Sequence, residues 1–131
     1  MDDLTAAAVM QRFGKAFFKR DPVLLAQAAT DDVQWHFAIC THGTDGPEGR
    51  VRQGIDGLLR GIEENDALFE RLRFTDVVCR GFGADQIVMT YLLDGKYRGG
   101  DAFSLRGIEL ITVRDGRVAV KDVYWKQPGR G

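Results

Sequence analysis

Hydrophobic and polar positions alternate most regularly from Asp101 to Lys126. Phe103, Leu105, Gly107, Glu109, Ile111 and Val113 fall on one face of an extended chain, and Ser104, Arg106, Ile108, Leu110 and Thr112 on the other. Both faces are largely apolar, so both are expected to be covered. Val118 to Trp125 is rich in valine and aromatics, and Asp115-Gly116 between the two runs signals a tight antiparallel hairpin. Two registers fit that signal. A two-residue turn sets Glu109 opposite Asp122, whereas a type I turn followed by Gly116 in a left-handed bulge sets it opposite Lys121. The second is preferred because it opposes unlike charges, and it places Ala119, Lys121, Val123 and Trp125 on the Glu109 face.

Upstream the period changes. Leu4 to Arg20 carries a helical stripe of Leu4, Ala8, Val9, Phe13, Ala16 and Phe17, with Thr5 as its expected N-cap. Asp21-Pro22 closes that helix and opens a short second one to about Ala29. After Thr30-Asp31-Asp32, alternation of Val33, Trp35 and Phe37 against Gln34 and His36 predicts a strand. His36 lies on the other row, where a partly exposed or interface histidine is expected. Ala38 to Gln53 is a long irregular stretch containing His42, read as solvated, and a loop of that length can form the lip of a cavity. Gly54 to about Glu64 predicts a third helix, with Glu63, Glu64 and Asp66 as its solvated end. Leu72 to Arg80 and Gln86 to Leu93 predict two strands around Gly81-Phe82-Gly83, and Asp94 to Gly100 a polar connection to the hairpin. Helices first and an antiparallel meander last make the class α+β, with the helices on one face of a curved sheet.

At 131 residues the chain reads as one domain, 1–131, able to bury roughly two-thirds of its unfolded surface. Its net charge is −1 with both signs interspersed, which argues against nucleic acid or a membrane surface as partner. No signal-peptide pattern and no apolar run of membrane length are present, and Cys40 and Cys79 stand in no metal-like spacing. A cytoplasmic protein with buried thiols is expected. There is no glycine-rich phosphate loop and no histidine and carboxylate cluster, so no cofactor and no metal are expected.

The order of these elements, with "TDDVQW" after the second helix, "QGIDGLL" opening the third and "GIELITVRDGRVAVKDVYWK" at the end, resembles the SnoaL-like group of the nuclear-transport-factor-2-like superfamily, also described as cystatin-like or ketosteroid isomerase-like. The resemblance implies three N-terminal helices packed in the concavity of a strongly curved, mainly antiparallel sheet, a cone-shaped α+β barrel around an apolar cavity. It also implies a homodimer through the outer sheet face, with Arg106, Ile108, Leu110, Val120 and Tyr124 towards the partner. On that model Phe13, Phe17, Trp35, Phe37, Phe103, Leu105, Val123 and Trp125 line the cavity and bind a small hydrophobic molecule, while Glu109 and Lys121 supply its charge. The steroid isomerase residue set is absent: Phe13 stands where its tyrosine would be and Phe37 where its base would be, leaving Glu109 at the position of its acid. The epoxide hydrolase set is absent too, since Val123, Met89 and Tyr91 occupy the positions of its charges.

Glu109 and Lys121 admit three readings: a structural ion pair, a ligand anchor, or a catalytic acid or base. Trp35 and Trp125 offer flat faces for an aromatic ligand, and Tyr91 and Tyr97 are hydroxyl sources whose faces the pattern leaves open. The functions that follow are an isomerase, cyclase or hydrolase using Glu109, a non-catalytic ligand-binding domain, or a dimerisation module with a filled cavity.

Overall fold

The computed structural model describes residues 1–39 and 45–127. Cys40 and His42 lie outside the described residues. The order is α1 (Asp3–Lys19), α2 (Pro22–Ala28), β1 (Ala29–His36), β2 (Val51–Gln53), α3 (Gly54–Leu68), β3 (Phe69–Phe82), β4 (Gln86–Tyr97), β5 (Ala102–Arg114) and β6 (Arg117–Trp125). The class is α+β. None of the helices among the described residues is long and apolar enough to cross a membrane.

α1 buries Ala6, Val9, Met10, Phe13 and Ala16. Its N-cap is Asp2 rather than Thr5, and the Asp2 carboxylate accepts the Thr5 N–H at 2.7 Å. Three residues further out, a charged oxygen serves the unpaired first-turn N–H groups better than the Thr5 hydroxyl inside the helix. Arg20 ends α1 in the left-handed region, and Asp21 then caps α2 through the Val23 and Leu24 N–H groups.

Three boundaries run past the sequence expectation. α3 continues to Leu68 and β3 begins at Phe69, because no glycine or proline interrupts the chain between Gly61 and Gly81. β4 runs to Tyr97, since Asp94 to Lys96 pair with β3 on one side and β5 on the other. The strand β2, which lies in the stretch read as irregular, is only three residues long, too short to show a period.

The six strands form one open, mixed sheet in the order β2-β1-β6-β5-β4-β3, with β1 parallel to β6 and the other neighbours antiparallel. β2 and β3 are its edges, so the sheet does not close into a barrel. Along β5, Gly107, Glu109, Ile111 and Val113 are buried while Ser104, Arg106 and Leu110 are exposed. The helices therefore cover one face, with α1 against β3 and β6, and α3 against β1 and β3.

The hairpin register is neither of the two expected. Asp115 and Gly116 both have positive φ, the two-residue turn that matches strand twist, and Arg114 pairs with Arg117. A bulge follows: Val113 faces Val118 but Thr112 faces Val120, so Ala119 is the extra residue and Glu109 lies opposite Val123. Lys121 stands one diagonal step away on the same face. Unlike charges met diagonally, which a directly opposed pair was not needed to achieve.

The end of α3 is not simply solvated. Glu64 accepts from Arg52 at 2.5 and 2.7 Å and from Arg50 at 3.3 Å, which ties β2 to the helix, and Asp66 pairs with Arg20 at the end of α1. The hydrogen bonds from Arg52 hold the Glu64 carboxyl below its ordinary value. A depressed folded-state pKa contributes stability above the unfolded value of about 4.3 and loses it as pH falls through the folded value. Glu64→Gln is expected to cost about 1 kcal/mol at pH 7. In urea unfolding the gap from the parent protein should narrow steadily below about pH 4.3.

Candidate functional site

Between the helices and the sheet the side chains leave a cavity of about 260 Å³, walled by α1, β1, α3, β3, β5 and β6. Of the residues expected there, Phe17, Trp35, Phe37, Val123 and Trp125 line it together with Glu109 and Lys121. Phe13 lines a neighbouring cavity of about 420 Å³ between α1, β3 and β4. Phe103 and Leu105 line neither. They share the inward row, but near the start of β5 Phe103 packs against Phe69 and Tyr97, with ring centroids 5.9 and 5.2 Å away, and Leu105 is half-buried opposite Leu93.

Four aromatic side chains, two from α1 and two from β1 and the residue that follows it, form a chain of contacts beside the first cavity. Phe13 and Phe17, one helical turn apart, lie 5.6 Å from each other, Phe17 meets the Trp35 ring edge-on at 5.2 Å, and Trp35 and Phe37 stack at 4.2 Å. Against this apolar surface β5 and β6 present an ion pair. Lys121 Nζ lies 2.6 Å from Glu109 Oε1 and 5.3 Å from the ring centroids of both Phe17 and Trp35, within cation–π range. Glu109 is 3% exposed and Lys121 8%.

Of the two tyrosines whose faces the sequence pattern leaves open, Tyr91 is the one that reaches Glu109. It is fully buried on β4, donates its hydroxyl proton to Glu109 Oε2 at 2.8 Å and accepts the Trp125 indole N–H at 3.0 Å. Gly107 makes this possible: Tyr91 pairs with Gly107 across the strands, and a Cβ there would lie 2.4 Å from the Tyr91 ring. Parity along β4 groups Tyr91 with Ile87, Met89 and Leu93, but only the β4–β5 register puts that row with Glu109.

Each Glu109 oxygen thus has a donor, and the pair is charge-balanced. Burial, and then the Glu109 charge, push the Tyr91 hydroxyl far above its ordinary value, so Tyr91 acts as a donor and not a base. The same two causes raise the half-buried Cys79 thiol at the wall of the second cavity. His36 is half-buried on the opposite row, its Nε2 2.9 Å from Gln34 Oε1. Among the described residues no group of three His, Cys, Asp or Glu is placed to hold a metal ion.

The model of a family described as SnoaL-like domain matches residues 10–121. No curated protein matches the sequence. Among solved structures, an NTF2-like protein from Burkholderia xenovorans superposes with a TM-score of 0.74 at 16% identity, covering 96% of this chain and 92% of that one. A Xanthomonas campestris protein provisionally designated a polyketide cyclase gives 0.71 at 20% identity over 96% and 93%. A provisionally designated isomerase from Bacillus subtilis gives 0.70 at 17% over 96% and 90%. At such identities the likeness is one of fold.

The ion pair is expected to behave as a unit. Lys121→Met leaves a buried carboxylate without its counter-charge and should cost about 3–5 kcal/mol. Adding Glu109→Met to it should recover part of that loss, since an apolar pair of similar volume replaces the charges. Urea unfolding of both variants checks this, and a double variant less stable than Lys121→Met would contradict it.

Proposed function

Because the chain belongs to the SnoaL-like domain family, we propose that it binds a small apolar, ring-containing molecule beside Glu109 and Lys121 and moves a proton on it, as an isomerase, cyclase or hydrolase does. One observation carries this reading: a salt-bridged carboxylate and ammonium stand in the wall of a cavity whose other walls are mostly aromatic and aliphatic. Charged groups are costly in such a place, and sites that move protons are where they recur. The neighbours provisionally designated polyketide cyclases support the family-level reading. A bent, cone-like sheet around the helices fits a cavity walled from both β1 and β3.

In this reading Glu109 takes a proton from a carbon next to a carbonyl of the ligand. The electrons of the broken C–H bond pass to the carbonyl oxygen, whose growing charge the Lys121 ammonium stabilises, and the proton returns to a different carbon. Tyr91 keeps its own proton and orients the carboxylate. The hydroxyl that Phe13 does not supply from α1 reaches the acid from β4 instead.

A non-catalytic binding domain is the second reading, favoured by the fact that both Glu109 oxygens already accept hydrogen bonds. Exchange of the acidic C–H groups of 2-tetralone in D2O separates the two. The enzyme reading expects exchange above the buffer rate and its loss by about 100-fold or more in Glu109→Gln, with binding retained. Binding without exchange in the parent protein would leave only the binding domain.

We further propose that a second copy of the chain covers the outer sheet face. Leu110 and Tyr124 are 42% and 52% exposed there, beside half-buried Ile108 and Val120. Light scattering is expected to give a dimer mass, and Leu110→Glu a monomer at the same concentration; a monomeric parent protein would contradict the proposal.

A further inference from the structure

Resting on the binding reading above, the second cavity extends it. The chamber of about 420 Å³ shares its border with the first, since Phe17, Phe18, Phe74, Glu109 and Lys121 line both. Phe18 and Phe74 meet edge-on at 6.5 Å and form the waist between them. Beyond the waist the walls are mostly apolar or sulfur-bearing, with Met10, Phe13, Gly14, Val77, Cys79 and Met89 among them and Gln11 and Tyr91 as the polar side chains.

Gly14 stands in the interior of α1, where glycine weakens a helix relative to alanine. Packing does not call for it, because a Cβ at that position meets no heavy atom within 4 Å. What the missing side chain does is leave the wall of this chamber open.

Lys121 sits where the chambers meet. Its ammonium has three N–H donors, of which one meets Glu109 at 2.6 Å, and the aromatic faces of Phe17 and Trp35 flank it.

We propose that the two chambers are lobes of one ligand site, and that the ligand is an elongated apolar molecule with a hydrogen-bond acceptor near its middle. One end lies against Trp35 and Phe37, the other over Gly14 beside Met89, and the acceptor meets Lys121. Neither lobe alone uses both the aromatic wall and the opening at Gly14.

Calorimetric titration with three probes tests this: benzophenone has a ring on each side of a carbonyl, acetophenone has one ring, and diphenylmethane has two rings and no acceptor. Benzophenone is expected to bind about tenfold or more tightly than either of the others, from the second buried ring and from the Lys121 contact. Gly14→Leu places a good helix former in open space, so its melting temperature should not fall. It should lower benzophenone affinity to that of acetophenone while acetophenone itself changes less than about twofold. Gly14→Ala is the control that keeps most of the benzophenone affinity. Benzophenone binding unmoved by Gly14→Leu, or diphenylmethane matching benzophenone, overturns the two-lobe site and leaves the first cavity as the binding site. Failure of all three probes to bind overturns the binding reading beneath it as well.

Discussion

A carboxylate taken out of water costs several kcal/mol unless its charge is met on the spot, and Glu109 is met twice. Lys121 supplies the opposite charge from the neighbouring strand, and Tyr91 a hydroxyl proton from the strand on the other side. Three adjacent strands, β4, β5 and β6, are thereby held in one alignment. Shifting any of them by one residue would turn a partner to the outer face. The aromatic cluster depends on the same contact, because the ammonium that balances Glu109 also lies over Phe17 and Trp35 and so joins the sheet to α1.

The backbone achieves this alignment through irregularities. The bulge at Ala119 brings Lys121 diagonally next to Glu109, and the bare Cα of Gly107 admits the Tyr91 ring where any side chain would collide with it. A regular ladder would set Glu109 against Asp122 and turn Lys121 to the outer face, and an alanine at position 107 would collide with the Tyr91 ring and lose the hydroxyl. Positions that look weak by strand propensity are in this way the ones that build the site.

Much of this was legible in the sequence because parity is local. Alternation along each strand, with the preference for unlike charges across the turn, puts Lys121, Val123 and Trp125 on the Glu109 face, and Asp115-Gly116 marks the turn. Parity does not give depth along a strand, which is why Phe103 and Leu105 share the inward row yet lie away from the cavities. Nor does it give pairing between distant segments. Tyr91 joins Glu109 only through the β4–β5 register, and the bulge in β6 forms where that strand is also paired to β1 on its other edge, itself with a register shift between Ala29 and Gln34. Charge complementarity across the hairpin was a sound criterion applied to the wrong neighbour, the opposite one and not the diagonal one.

The strand order has a consequence for how the molecule is made. β6 follows every other strand in the chain, yet it stands near the middle of the sheet, between β1 and β5, and it joins residue 29 to residue 118. Until it emerges from the ribosome, β1 and β5 each present an unpaired edge, and the floor under α1 has a gap. Helices and meander can collapse early, but the sheet is completed only by a late, long-range docking event of the kind that slows folding and leaves edges open to misassociation. The ammonium arrives on that same strand, so the Glu109 carboxylate gains its counter-charge only when β6 docks.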